Sequence, residues 1–349
     1  MTQQPRTEAI ERSRLHTQAS LAWLHIRLGL LADAEKCLHE ALATYERLGI
    51  PPVTGVATDP RVALGILASI RGDYDTMIRL GEEAVQLSEQ YAHRWNRPFA
   101  YYLLTRAAIA QGDYEQAQHY ARQASAAAQE SKDRWFLAYC LIELGNVALA
   151  QDQFALAQEH YRASYVIRQE FADREGVALA LNRLGTVTFR QQAYGEARSL
   201  YLQSLDLYRE LNDRGGLAST LNGLGFVASE QADYATAAQH FQQALRIVQD
   251  LHFTPLVLWV LLGIGEMLLK TRQIERGVEL LGLVEYHPAA EREARLRARR
   301  CLDRVRAQVP PDEFTAVHLR GQRLDLDHLT ETLLTELLVW QSAVNTSAD

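Results

Sequence analysis

The sequence predicts an all-α chain, a solenoid of about seven helical hairpins closed by a C-terminal helical cap. Three observations carry that expectation. The chain repeats itself: Tyr74, Tyr114, Phe154, Tyr194, Tyr234 and Ile274 stand 40 residues apart. Three residues after each comes Met77, Ala117, Ala157, Ala197, Ala237 or Gly277, and nine before each Gly65, Thr105, Gly145, Gly185, Gly225 or Gly265. Leu (52) and Ala (48), both strong helix formers, supply 100 of the 349 residues. No proline falls between Pro98 and Pro255, whereas a sandwich or barrel needs frequent turn residues.

Taken in order, the array is expected over 1–286, with units near 15–48, 60–91, 95–130, 133–171, 173–211, 213–251 and 254–286. The first unit, GLLADAEKCLHEAL, has Leu31 in the aromatic place and Ala34 in the small one. Leu31 and Tyr74 are 43 residues apart, so an insertion lies in or near IPPVTGVATDP. Each unit reads as two helices. In the fifth, Val177, Leu181, Leu184, Val187 and Thr188 recur at helical spacing. Its second helix carries Tyr194, Ala197, Leu200, Tyr201, Leu205 and Tyr208 on one side. Asp173 is a natural N-cap, because its carboxylate accepts from free first-turn amides. Gly-Asp before Tyr74 and Tyr114 supplies a tight turn and a cap. Gly185 and Gly225 are expected where the two helices meet, near Ala197 and Ala237. A helical cap follows at 287–341, with a closing helix over about 325–341 and a polar, disordered tail at 342–349.

Leu144-Gly145, Ala157, Tyr161 and Ser164 resemble the tetratricopeptide-repeat (TPR) pattern, as do Leu184-Gly185, Ala197, Tyr201, Ser204 and Leu224-Gly225, Ala237, Phe241, Ala244. The chain departs from the 34-residue repeat in its period and in having no proline at the end of the second helix. The extra six residues lengthen the helices by more than a turn. Long repeats of this kind are similar to the C-terminal TPR region of STAND-type bacterial regulators, such as the MalT-like region of the maltose-regulon activator. Leu280-Leu281-Gly282, then Gly321, Leu324, Leu326 and His328, add a second resemblance to the C-terminal end of large bacterial signalling proteins. Asp327-His328 stands where that ending has an acidic pair. The resemblance implies a TPR superhelix.

The formal charge is −7 and the pI about 5.9, which disfavours direct nucleic-acid binding. Cys37, Cys140 and Cys301 lie far apart and suit a reducing compartment. No signal-peptide core opens the chain, and the longest apolar run, Leu256 to Gly265, is far short of a bilayer span. A cytoplasmic protein without membrane contact is expected. No phosphate-binding glycine loop and no HExxH or ExxH metal pair occurs. His160 and His240 share one repeat position, which reads as structural rather than ligating. No cofactor, metal or catalytic residue is expected, and an enzyme with an unrecognised site is the remote alternative. Residues 291–306 hold seven arginines (292, 295, 297, 299, 300, 304, 306). They read first as the polar face of an amphipathic helix, and second as a phosphate or acidic-partner patch.

In the TPR superhelix the first helix of each unit lines the concave side. Residues three before, one after and four after its glycine place Tyr102, Arg106, Asn146, Asn182, Thr186, Phe189, Asn222, Phe226 and Glu266 on that face. Asn182 and Asn222 stand one unit apart. Their amides, partly solvated, would hold a peptide backbone; alternatively each bonds its own repeat. The resemblance implies an interaction or effector-sensing module of bacterial signalling or transcription regulation, taking a peptide, protein segment or small inducer in its groove. An NTPase or DNA-binding output module is the further expected partner. A passive assembly scaffold is the alternative.

Overall fold

The computed structural model describes residues 4–48, 59–90 and 96–346. Among them are seventeen α-helices and no strand. The chain divides into two compact units, one of Met1–Ile109 with Asp113–Leu144, the other of Ala110–Gly112 with Gly145–Asp349.

The first unit holds the hairpins α1 (Gln4–Arg27) with α2 (Leu31–Leu48), α3 (Pro60–Arg71) with α4 (Tyr74–Gln90), and α5 (Asn96–Gln111) with α6 (Tyr114–Glu130). It ends within α7 (Arg134–Ala150). Ala34 and Leu38 of α2 pack with Leu64 and Leu67 of α3, and Met77 and Ala84 of α4 with Ala100 and Leu103 of α5. Each hairpin thus buries its apolar stripe partly against the next. The expected insertion at 50–60 falls largely outside the described residues.

The second unit continues with α8 (Phe154–Glu170), α9 (Arg174–Arg190), α10 (Tyr194–Leu211), α11 (Arg214–Glu230), α12 (Tyr234–Leu251), α13 (Thr254–Lys270) and α14 (Ile274–Tyr286). Odd-numbered helices are the first of each hairpin and even-numbered ones the second. Aspartates cap them as expected: Asp173 accepts from the Gly176 amide at 2.9 Å and Asp213 from Gly216 at 3.0 Å. Asp73 and Asp113 do the same in the first unit. The extra residues of the long repeat are helical, since these helices run 17 or 18 residues, apart from the 13-residue α14, and are joined by short turns. Each turn contains one residue in the left-handed region, at Lys132, Asp152, Ala172, Gln192, Asn212, Ala232, His252 and Arg272, every one twenty residues after the last. The 40-residue unit is therefore two equal halves. The sequence had not shown this, because only Gly29, Gly72 and Gly112 put a glycine there.

Gly185 and Gly225 do sit where first and second helices meet, but the nearest neighbour is an aromatic ring rather than the alanine expected. A side chain at Gly185 would meet Tyr201 at 2.9 Å, and one at Gly225 would meet Phe241 at 2.5 Å. A side chain at Gly223 or Gly263, in the following repeats, would meet the same two rings, each at 2.5 Å. A ring clamped between two glycine-bearing helices sets the spacing of consecutive hairpins.

After α14 the chain turns onto the inner, first-helix side as α15 (Arg292–Arg306), then returns along the outer side as α16 (Pro311–Gln322) and α17 (Leu326–Thr346). α16 crosses α14 where Gly282 and Gly321 meet; a Cβ on Gly282 would lie 3.7 Å from the Gly321 Cα. Both glycines came from the sequence pattern, and their role is this close backbone crossing. Gln242 Nε2 on α12 donates to the Leu334 carbonyl at 3.1 Å, and Arg276 on α14 pairs with Glu336 at 2.9 Å. The closing helix was expected to stop near 341. It runs to Thr346, because no Gly or Pro after Gly321 interrupts it; only 347–349 of the expected tail lie outside the described residues. No helix among the described residues is long and apolar enough to cross a membrane.

Candidate functional site

The site is built on the inner side of α9, α11 and α13. The residue following each glycine of the first helices meets the ring of its own hairpin's second helix. Tyr161 Oη donates to Asn146 Oδ1 (2.9 Å) and Tyr201 Oη to Thr186 Oγ1 (3.1 Å). In the next repeat both members are apolar, and Phe226 lies edge-on to Phe241 with ring centres 5.6 Å apart. Burial raises the Tyr201 hydroxyl to about 12, so it stays a hydrogen-bond donor. In the last repeat the ring is replaced by Leu281, which offers no polar atom. Glu266 finds its partner elsewhere.

That partner is on α15. Arg297 binds Glu266 in a two-pronged pair, Nε to Oε1 at 2.6 Å and a terminal nitrogen to Oε2 at 2.7 Å. The same guanidinium lies 4.4 Å above the centre of the Phe226 ring. Burial works against the Arg297 charge, but Glu266 outweighs it and holds the group charged beyond the ordinary arginine range. Arg190, at the end of α9, pairs with Glu293 on α15 and with Asp152 (2.7 Å). Trp259 Nε1 of α13 donates to Glu291, just before α15, at 2.9 Å. Thus α15 is fastened across three successive repeats.

A cleft of ≈ 670 Å³ remains between α15 and these repeats. Phe189, Tyr194 and Leu269 give it apolar surface. Its charged lining is Arg190, Lys270, Arg297, Arg300 and Arg304 against Glu230, Glu266 and Glu293. Each of the three carboxylates already has a cation: Glu230 holds Lys270 at 2.9 Å, Glu266 holds Arg297, and Glu293 holds Arg190. Arg300 and Arg304 are exposed and, among the described residues, have no carboxylate partner. Cys301 also lines the cleft, but burial and then the Glu266 charge push its thiol up to about 12. At neutral pH it is no nucleophile. The lining offers an occupant charge-assisted hydrogen bonds and aromatic contact.

The nine residues singled out from the sequence separate accordingly. Tyr102 and Arg106 belong to the first unit, where Tyr102 packs against Phe136 and Tyr139 and Arg106 lies 5.7 Å over the Tyr102 ring. The other seven belong to the second. Phe189 lines the cleft and Glu266 closes one wall. Asn146 and Thr186 serve the tyrosines described above. The expectation of partly solvated asparagine amides is corrected: Asn182 is 3% exposed and Asn222 6%. Neighbouring repeats pack closely enough to enclose them. Asn182 Nδ2 donates to Thr220 Oγ1 (2.9 Å), on the following repeat rather than its own. At the matching place one unit later stands Val260, and the Asn222 Oδ1 is buried without a hydrogen bond. Phe226, at 7% exposure, lies under Arg297 rather than open to a ligand. The arginine-rich helix is amphipathic as read, with Ala294, Ala298, Leu302 and Val305 buried. Its arginines are not one uniform polar face. Arg295, Arg297 and Arg299 bond within the fold, and Arg300 and Arg304 face the cleft. The sequence held these two among the seven arginines of the second, acidic-partner reading but did not single them out, because the repeat does not extend to α15 and nothing in its spacing shows which side of the array α15 covers.

Tetratricopeptide-repeat models match residues 137–210 and 176–250, and a further one 14–48. Over these residues the chain is built of tetratricopeptide repeats. No curated protein matches the sequence. Among solved structures, a Rap protein complexed with competence and sporulation factor is similar over 96% of this chain and 88% of its own, at 11% identity and a TM-score of 0.61. A STAND protein with a TPR sensor from Pyrococcus horikoshii matches over 91% of this chain and 49% of its own (13% identity, TM-score 0.53). The apo quorum sensor NprR from B. thuringiensis matches over 95% and 88% (13%, 0.51). At such identities the likeness is one of fold.

Proposed function

We propose that this chain is a ligand-sensing TPR module of a bacterial signalling or transcription-regulatory system, and that it takes an extended peptide or protein segment into the cleft beneath α15. One observation carries the reading. Three first helices and α15 wall a cleft that combines aromatic surface with a surplus positive charge that no carboxylate among the described residues neutralises. A concave site with a few convergent polar groups is the usual form of a ligand pocket. The Rap and NprR structures support it, one being complexed with a factor and the other a quorum sensor. Because α15 is tied to α9 and α13 by ion pairs that line the cleft, an occupant competing for those groups would favour one position of that helix over another. This is what a ligand needs in order to shift an equilibrium. An NTPase or DNA-binding module of the same system would receive the change. In this reading the module works by binding, through the charged and aromatic lining of the cleft.

The reading is tested by selecting random peptides on the full chain and mapping the retained ones by hydrogen exchange. Protection over 189–194, 266–270 and 293–305 is expected. Protection on the outer helices alone, or no retained peptide, overturns the reading.

A further inference from the structure

We infer that the cleft selects an extended peptide with two acidic side chains two residues apart, received by Arg300 and Arg304. The inference rests on the peptide-sensing reading above and names the ligand's chemistry. The lining carries five cations and three carboxylates, and each carboxylate is paired with a cation. The surplus is Arg300 and Arg304, in a chain whose formal charge is −7. Their neighbours in the cleft cannot neutralise them without giving up a pair that fastens α15 or α13. A concave site focuses this field on an incoming anion.

Spacing then decides between anions. Arg300 and Arg304 are four residues apart on α15, which places them on the same face, about 6 Å apart along the helix axis. Alternate side chains of an extended strand share one face and repeat about every 6.6 Å. A strand laid along α15 therefore presents residues n and n+2 to the two guanidiniums in register. Adjacent acidic residues would point to opposite faces, and residues three apart would miss the register. The intervening side chain of such a strand would turn away from α15, toward the side where Phe189, Tyr194 and Leu269 stand. An apolar residue between the two acids suits that place.

The test uses fluorescein-labelled seven-residue peptides and the full chain, read by fluorescence polarisation. The first peptide has aspartates at its third and fifth positions with leucine between them. The others have aspartates adjacent, three apart, or replaced by asparagine. The n, n+2 peptide should bind at least about tenfold more tightly than each of the others, and more weakly as salt rises. Arg300→Ala and Arg304→Ala should each weaken it about tenfold. Neither side chain has a hydrogen bond or ion pair among the described residues, so unchanged circular dichroism melts are expected of both variants. A charge-reversed chain, R300E with R304E, should instead prefer the peptide with lysines at the same two positions.

Equal binding of all four peptides, or full affinity in the double alanine variant, overturns the inference. If peptides selected at random nonetheless protect the cleft without an acidic pair, the sensing reading stands and only the acidic preference falls. Displacement of the aspartate peptide by inorganic phosphate at comparable concentration would make a phosphoryl group the occupant and also overturn it.

Discussion

His240 shows what a single residue inherits from its place in a repeat. It occupies the same position as His160 one unit pair earlier, and burial lowers the pKa of both. For His240 the Arg198 charge adds to burial, and Asp233 opposes them. Its ring nitrogen Nδ1 is buried without a hydrogen bond. A histidine held neutral in the fold but free to protonate when unfolded favours the unfolded chain as pH falls below the ordinary value of 6.5. Stability from this group is present above that value and is lost below it, through the lowered folded pKa. The urea midpoint should drop between about pH 7.5 and about pH 5.5, and His240→Gln should flatten the drop. An unchanged slope in the variant would remove His240 as the cause. The sequence reads His240 as structural, since one histidine per repeat does not converge on a ligand. It misplaced the asparagines for a related reason. Helical phasing tells which face Asn182 and Asn222 occupy, but not how deeply the next hairpin covers that face. Thr220 and Val260, which decide their fates, lie on the following helix.

At the scale of the helix and its turn, eight non-glycine residues among those described adopt the left-handed conformation. An L-residue there costs roughly 1–2 kcal/mol, against a smaller entropic cost for glycine. Ala232, with φ of 59°, has an exposed side chain whose loss forfeits no buried contact. Ala232→Gly should therefore stabilise the array by about 0.5–1 kcal/mol, seen as a higher denaturant midpoint with an unchanged slope. A lower midpoint would mean that the alanine methyl contributes packing at the turn. Seven hairpins were legible because aromatic, small and glycine positions recur every 40 residues. The half-period was hidden, since first and second helices carry different residues and only the backbone repeats. α15 was hidden for another reason: its amphipathic pattern shows that one side is buried, without naming the surface that buries it.

For the molecule as a whole, the pair between Glu266 and Arg297 joins the last repeat to the cap. Repeat arrays transmit little beyond nearest neighbours, so the effect of breaking a pair should stay local. Glu266→Ala would leave Arg297 largely buried over Phe226 without its counter-charge, a change that costs about 3–5 kcal/mol in comparable sites. Hydrogen exchange should quicken over 292–306, while α2 and α4 in the first unit keep their protection. Uniform quickening across the chain would show that the cap stabilises every repeat and not only its neighbours.

The even spacing of the turns also has a genetic meaning. From Lys132 to Arg272, every left-handed turn residue follows the last by the same number of codons. A recombination that gains or loses forty codons in this stretch returns each downstream helix to its own role, with groove-facing positions still facing the groove. A gain of twenty would leave every turn intact yet exchange first helices for second ones. The inner wall would then be built from side chains selected for the outside. Unequal crossing-over is thus a route by which such a gene could lengthen its reading surface one whole unit at a time, with half-unit events eliminated by selection.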